Sequence, residues 1–231
     1  MFQLRLGRWE EVLADVAACD TLITDTPYSA KTHTGHDRGR QHDRAARKRL
    51  SYRAWGEPEV RRFVAHWAPR TRGWFVTITD HVLAPLWSLA LEQLGRYVFA
   101  PLPFVAPGSR VRRQGDDPAL WAVQIVVARP RCAPWCRWGA LPGAYVLPKG
   151  EARAALIGGK PPWLMRQLVA DYSRPGELVV DPCAGAATTL IEADKLGRQA
   201  LGAEMSARAF ARAREVWRNN NQGVRDASRR R

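Results

Sequence analysis

Residues Glu177-Leu178-Val179-Val180-Asp181-Pro182-Cys183-Ala184-Gly185-Ala186-Ala187-Thr188-Thr189 decide how this chain is read. Glu177 to Val180 is a short strand-like run, Asp181 to Ala187 is a loop of small residues, and Thr188 to Leu196 has helical spacing closed by Gly197. Small residues at a strand-to-helix turn let a ligand approach the backbone at a helix N-terminus. Ala200 to Ala203 is the next strand, and Glu204 stands at its end, about 20 residues beyond the loop. An acid so placed can accept both hydroxyls of a ribose, which is how adenosine-containing cofactors are held.

The same alternation extends in both directions. Upstream, Pro161 and Pro162 open a helix in which Leu164, Leu168 and Tyr172 share a face with Met165 and Val169, and Arg174-Pro175-Gly176 ends it. Downstream, Ser206 caps a last helix with Phe210, Ala213 and Trp217 on one stripe, and Gln222 to Arg231 reads as a disordered tail. In the N-terminal half, Asp20 to Thr24, Trp74 to Thr79, Tyr97 to Val105 and Trp121 to Ala128 read as strands. Between them, Glu57 to Trp67 and Val82 to Leu94 read as helices, with Pro85 in the tolerated first turn. Strand-helix alternation of this kind predicts an α/β fold with a mostly parallel sheet, in one domain over 1–221. Arg129 to Gly159, rich in Pro, Gly and isolated aromatics, has no clear period and reads as irregular. Trp55, Trp67, Trp87 and Trp121 read as core residues.

In an open parallel sheet, ligands sit beyond the carboxyl ends of the strands. A second such loop is therefore notable: Asp25-Thr26-Pro27-Tyr28-Ser29 places an acid, a Pro-stiffened turn and an aromatic directly after Leu22-Ile23-Thr24.

Of the 231 residues, 46% are hydrophobic and 25% charged, which excludes collagen, low-complexity disorder and a disulfide scaffold. Thirty-six Lys plus Arg against 22 Asp plus Glu leave a net charge of +14, so the expected partner is a polyanion. Only five of the basic residues are Lys. Arg pairs bidentately with phosphate and stacks on aromatic faces, although high-GC codon usage accounts for the ratio equally well. No apolar run approaches the roughly 18 residues that span a bilayer, and Glu10, Glu11 and Asp15 interrupt the place of a secretory leader. A cytoplasmic protein with no membrane partner is expected. Of Cys19, Cys132, Cys136 and Cys183, only Cys132 and Cys136 lie close together, without a second ligand pair, so reduced thiols and no metal are expected.

Taken together, the two loops resemble those of the amino-group DNA methyltransferases, whose catalytic motif reads Asp-Pro-Pro-Tyr and whose cofactor motif reads Asp-Pro-Phe-Xaa-Gly-Ser-Gly-Thr-Thr. The catalytic motif comes first here, as in the permuted beta class of that family, and Gly159-Lys160-Pro161-Pro162-Trp163-Leu164 is similar to the Lys-Pro helix ahead of its cofactor strand. The resemblance implies a circularly permuted Rossmann-like methyltransferase fold. It also implies S-adenosyl-L-methionine as cofactor, DNA as substrate, and methyl transfer to the exocyclic amino group of a flipped base. It makes Asp25, Thr26, Pro27 and Tyr28 the catalytic set, with the Asp25 carboxylate and Thr26 carbonyl accepting from the amine and Tyr28 stacking on the ring. It makes Lys160, Pro161, Asp181, Pro182, Cys183, Ala184, Gly185, Ala187, Thr188 and Glu204 the cofactor set, Cys183 only as a packing residue.

Adenine is preferred over cytosine N4 because Asp opens the catalytic motif where the cytosine enzymes usually have Ser. RNA is the close rival substrate, a basic nucleic-acid-binding protein with a degenerate cofactor site is the rival of another class, and a homodimer is compatible with the sequence. Two departures stand out. Thr26 replaces a Pro, keeping the carbonyl but adding an N–H that needs a partner. Ala187 replaces a Gly, at a cost of about 1 kcal/mol if the position needs positive φ.

Lys31 to Arg53 holds eight Lys plus Arg, three His and two Asp directly after the catalytic turn. It reads as a basic mobile loop gripping the nucleic-acid backbone through Lys31, Arg38, Arg40, Arg44, Arg47, Lys48, Arg49 and Arg53. Residues 129–159, with Arg131, Trp135, Arg137, Trp138, Tyr145, Lys149 and Arg153, read as a short target-recognition segment. A segment this short predicts a relaxed target of about two to four base pairs.

Overall fold

Alternate residues of the central strands face opposite ways, and this divides the interior into two cores. Leu22, Phe75, Val126 and Val180 point to one side, Ile23, Val76, Val127 and Val179 to the other. The computed structural model describes residues 1–34, 52–108, 120–131, 138–152 and 159–228, with side chains through Asn220. Its elements are β1 (Phe2–Leu6), α1 (Trp9–Val12), β2 (Thr21–Asp25), α2 (Glu57–Trp67), β3 (Phe75–Thr79), α3 (Ala84–Gln93), β4 (Arg96–Val98), β5 (Leu102–Val105) and β6 (Ala122–Pro130). There follow β7 (Tyr145–Val146), α4 (Pro162–Tyr172), β8 (Leu178–Asp181), α5 (Thr188–Lys195), β9 (Gln199–Glu204) and α6 (Ala207–Ser228).

The sheet runs β1-β9-β8-β2-β3-β6-β5-β7, with β4 also paired to β6. From β1 to β3 every pairing is parallel, and β6 enters antiparallel. One core is made by α2 and α3, where Val60, Phe63, Val64, Trp67 and Trp87 are fully buried on Phe75. The other is made by α4 and α5, where Leu164, Leu168, Val169, Leu190 and Ala193 close over Ile23 and Val179. Gly56 and Glu59 start α2, the Glu59 carboxylate accepting from the Gly56 N–H at 2.9 Å. Pro residues in the first turns of α2, α3 and α4 fix φ where no backbone donor is missed.

Several expectations are corrected. Tyr97 to Val105 is not one strand: β4 and β5 flank a break at Pro101, which has no N–H for the ladder, and both halves pair with β6. Trp121 is 44% exposed, whereas Trp67 and Trp87 are buried and Trp55 packs against the first core. The segment 129–159 contains the short strand β7, paired with Phe104 and Val105. The last helix continues to Ser228, past the start of the expected tail. It is anchored upstream by buried Ala213, by Trp217 stacked on Phe2 at 4.8 Å and by a 3.0 Å bond from Trp217 Nε1 to Asp194. Strand β1, which the sequence reading passed over, shows in the alternation of Phe2, Leu4 and Leu6.

Candidate active site

Three adjacent parallel strands end in acids: β9 in Glu204, β8 in Asp181 and β2 in Asp25. The chain leaves β8 toward β9 on one side and β2 toward β3 on the other. The gap between the ends of β8 and β2 is thus the switch point where open α/β sheets bind ligands. The two loops selected from the sequence meet there. Thr24 Oγ1 donates to Asp181 Oδ1 at 2.8 Å, joining the strand that carries the Asp25 loop to the strand that carries the small-residue loop.

Asp181 is 1% exposed, and its Oδ1 also accepts the Cys183 N–H at 3.1 Å, which turns the loop at its first step. Burial pushes this carboxyl up from 3.8 to about 7, against hydrogen bonds from Thr189, Thr24 and the Cys183 amide that favour the charge. A folded pKa above the unfolded one means that ionising Asp181 opposes folding, an effect absent below about pH 4 and complete above about pH 7. Asp181→Asn removes that dependence. Between pH 4 and 7.5 the wild type is expected to lose a few kcal/mol relative to the variant, measured by denaturant unfolding of both. Parallel pH dependences would show that Asp181 ionises without penalty.

The loop then brings Gly185 N–H to Glu204 Oε2 at 2.8 Å, while Ser206 N–H donates to Oε1 at 2.6 Å. Burial raises the pKa of Glu204, and the Ser206, Gly185 and Met205 amides oppose it. Each carboxylate oxygen keeps further acceptor capacity. Gly185 has φ +53°, and a Cβ there would meet nothing within 4 Å, so the space before this turn is open. Gly202, by contrast, is a packing glycine: a Cβ would lie 2.6 Å from the Asp181 carbonyl and 2.7 Å from Leu190. Ala187 has φ +57°, so the position does need the left-handed conformation, and its methyl is fully buried beneath the first turn of α5. Cys183 packs on the first core, and its thiol is pushed well up by burial and by the charges of Asp181 and Glu204. It is a neutral packing residue.

At the other loop, Lys160 Nζ lies 2.7 Å from both Asp25 oxygens and 4.9 Å from the Tyr28 ring centroid. The side chains of Lys160 and Asp25 are 9% and 19% exposed. Burial raises the pKa of Asp25, and Lys160 opposes it. Lys160, which the resemblance places in the cofactor set, thus sets its ammonium on the acid at the end of β2. Thr26 is buried, its hydroxyl at 3.4 Å from both Thr77 Oγ1 and the Ile78 carbonyl.

Asp80, directly after β3, belongs to the same row of strand-end acids, and no motif in the sequence marks it. Its Oδ2 accepts from Ser29 N–H at 2.9 Å, Ser29 Oγ at 2.6 Å and Thr32 Oγ1 at 2.5 Å. Its Oδ1 accepts the Val82 and Leu83 amides at 3.1 and 3.0 Å, just ahead of α3. One carboxylate thereby fastens the loop after β2 to a helix start.

Of the basic-loop residues, Lys31 and Arg53 flank positions 35–51; Arg38, Arg40, Arg44, Arg47, Lys48 and Arg49 lie outside the described residues, as do Cys132, Trp135, Cys136, Arg137 and Arg153. Trp55 N–H donates to the Tyr28 carbonyl at 3.0 Å, so the chain after this segment returns to the loop after β2. At the opposite end of β3, Arg174 stacks over Trp138 at 3.8 Å. No described helix is long and apolar enough to cross a membrane.

A mostly parallel sheet with acid-tipped strands β2, β8 and β9, a small-residue loop after β8 and helices on both faces is the Rossmann-like methyltransferase fold, here in permuted motif order. The family model described as DNA methylase, covering the N6 and N4 enzymes, matches residues 151–215. The crystal structure of the M1.HpyAVI-SAM complex aligns with a TM-score of 0.68 at 18% identity, covering 94% of this chain and 100% of that one. TTHA0409 of Thermus thermophilus, complexed with S-adenosyl-L-methionine, aligns at 0.63 and 19% identity, covering 94% and 93%. The cytosine-N4-specific PvuII DNA methyltransferase aligns at 0.64 and 14% identity, covering 93% and 85%. No curated protein sequence matches the chain significantly.

Proposed function

We propose that this protein is an S-adenosyl-L-methionine-dependent DNA methyltransferase that modifies the exocyclic amino group of a flipped adenine. The observation that carries the reading is the Thr24–Asp181 bond of 2.8 Å, which sets Asp25 and the Glu204-Gly185 loop on either side of one switch point. The residues fit the cofactor. Glu204 has acceptor capacity for ribose hydroxyls, and the open side of Gly185 admits a ligand to the backbone of the loop. Pro182, Ala184, Thr188 and Pro161 complete the proposed cradle.

When bound, the cofactor supplies an electrophilic methyl on sulfur. An exocyclic amine is a poor nucleophile because its lone pair is delocalised into the ring. The Asp25 carboxylate and the Thr26 carbonyl, accepting its two N–H groups, localise that pair and direct it. Tyr28 supplies a face for the flipped ring, with Pro27 stiffening the turn, and the catalysis is positioning by preorganised acceptors. Phosphate contacts from the Lys31 to Arg53 segment supply most of the affinity for DNA, a fitting role for a chain of net charge +14.

The test is transfer of isotope-labelled methyl from the cofactor to DNA and to RNA, followed by nucleoside analysis. N6-methyladenine in DNA is the expected product. N4-methylcytosine would replace adenine by cytosine, label only in RNA would replace the substrate, and no cofactor binding at all would leave a basic binding protein.

A further inference from the structure

The carboxylate on which the proposed chemistry depends has one cationic partner among the described residues, and that partner comes from a distant part of the chain. Lys160 reaches Asp25 across 135 positions, with Nζ at 2.7 Å from each oxygen. Its approach is built into the backbone: Pro161 is extended at φ −58° and ψ 140°, Pro162 opens α4, and α4 is pinned by buried Leu164, Met165, Leu168, Val169 and Tyr172. The ammonium also lies 4.9 Å from the Tyr28 centroid, so it faces both side chains proposed to meet the target base. We propose that Lys160 is a positioning residue that keeps the Asp25 carboxylate ionised and oriented toward the incoming amino group. The role rests on the methyltransferase reading of Asp25.

The electrostatic surroundings leave Lys160 alone in this task. Asp25 is faced by Tyr28 from its own loop, by Asp181 and Cys183 from the β8 loop and by Lys160 from the start of α4. On the β3 side, Ile78 lies opposite in register, and the Asp80 carboxylate is committed to its own five donors. Burial favours the neutral acid, which would offer the amine a weaker acceptor and carry a competing proton. Lys160 and the Tyr28 hydroxyl favour the anion, and only Lys160 does so with a full charge. The symmetric contact to both oxygens also fixes the carboxylate plane, leaving the remaining lone pairs for the substrate amine.

The experiment follows Asp25 directly in the cofactor-free, full-length protein. Its carboxyl titration is read by carbon-13 NMR of labelled Asp, with the Asp25 signal assigned by its loss in Asp25→Asn. In Lys160→Met the midpoint is expected to rise by at least one pH unit, and in Lys160→Arg it should stay closer to the wild type. Lys160→Gln, which still donates but carries no charge, should rise like Met and serves if the Met variant does not fold. In turnover assays the acid limb of kcat should move up with the midpoint. Activity on the acid side of the shifted midpoint should then fall and recover at higher pH, with the cofactor KM unchanged within about threefold. An Asp25 midpoint that stays put in both uncharged variants overturns the proposal, as does a lost kcat with an unmoved limb, which marks a merely structural lysine. If the midpoint moves but no methyl transfer is detected even in the wild type, the counter-ion pairing stands, and it is the methyltransferase reading that fails.

Discussion

Asp25→Ala is expected to lower methyl transfer by two to three orders of magnitude while cofactor affinity changes by no more than about threefold. The carboxylate stands at the end of β2, on the far side of the switch point from Glu204, and its hydrogen bonds are with Lys160 and Tyr28 rather than with the amides of the loop after β8. Removing it takes away an acceptor for the target amine and leaves the Lys160 ammonium without its partner beside Tyr28. Glu204→Ala should do the converse. It weakens cofactor binding by roughly 10- to 100-fold, the scale of one or two charge-assisted hydrogen bonds, because the ribose acceptor and the brace of the Gly185 and Ser206 amides are lost together. Titration calorimetry with cofactor and single-turnover methylation separate the two. Wild-type turnover in Asp25→Ala would sink the mechanism.

Asp80→Ala should be the most damaging substitution outside the proposed catalytic set, costing about 3–5 kcal/mol of stability and at least a hundredfold in turnover. Its carboxylate is 5% exposed and accepts five hydrogen bonds, so truncation strands the amides of Ser29, Val82 and Leu83. The loss in turnover comes from geometry: Ser29 is adjacent to Tyr28, and without its anchor the loop drifts. Burial opposes the Asp80 charge, but the bonds from Ser29, Thr32 and Leu83 outweigh it and hold its pKa below the ordinary carboxylate value. A depressed folded pKa makes this contribution complete above the unfolded value near 4 and lost as pH falls through the lower folded one. Asp80→Asn, which keeps one acceptor oxygen, should therefore be destabilised near neutrality and converge on the wild type in acid. Equal unfolding free energies for wild type and Asp80→Asn at pH 7 would remove the clamp from the account.

The local signals in the sequence carried most of the architecture. Val60, Phe63, Val64 and Trp67 recur at helical spacing and form one face of α2, because a helix repeats its direction every three to four residues whatever it packs against. The short apolar runs around Val76 and Val179 became central strands buried on both faces. The residues after β2, β8 and β9 could be selected because Pro, Gly and small residues set turn geometry within a few positions. Ala187 shows the same locality, since its left-handed φ is a backbone requirement visible as a missing glycine. What only tertiary structure decided is which polar side chains meet. Lys160 with Asp25, Thr24 with Asp181 and Ser29 with Asp80 are joined across 135, 157 and 51 positions. Such pairings leave no period or motif, because they depend on strand order and on the register that brings β2 between β8 and β3. A charged side chain in sequence carries no mark of the partner it will find. Nothing in the sequence therefore marks Lys160 as the partner of Asp25, or Asp80 as the clamp on two loops; only the fold brings them together.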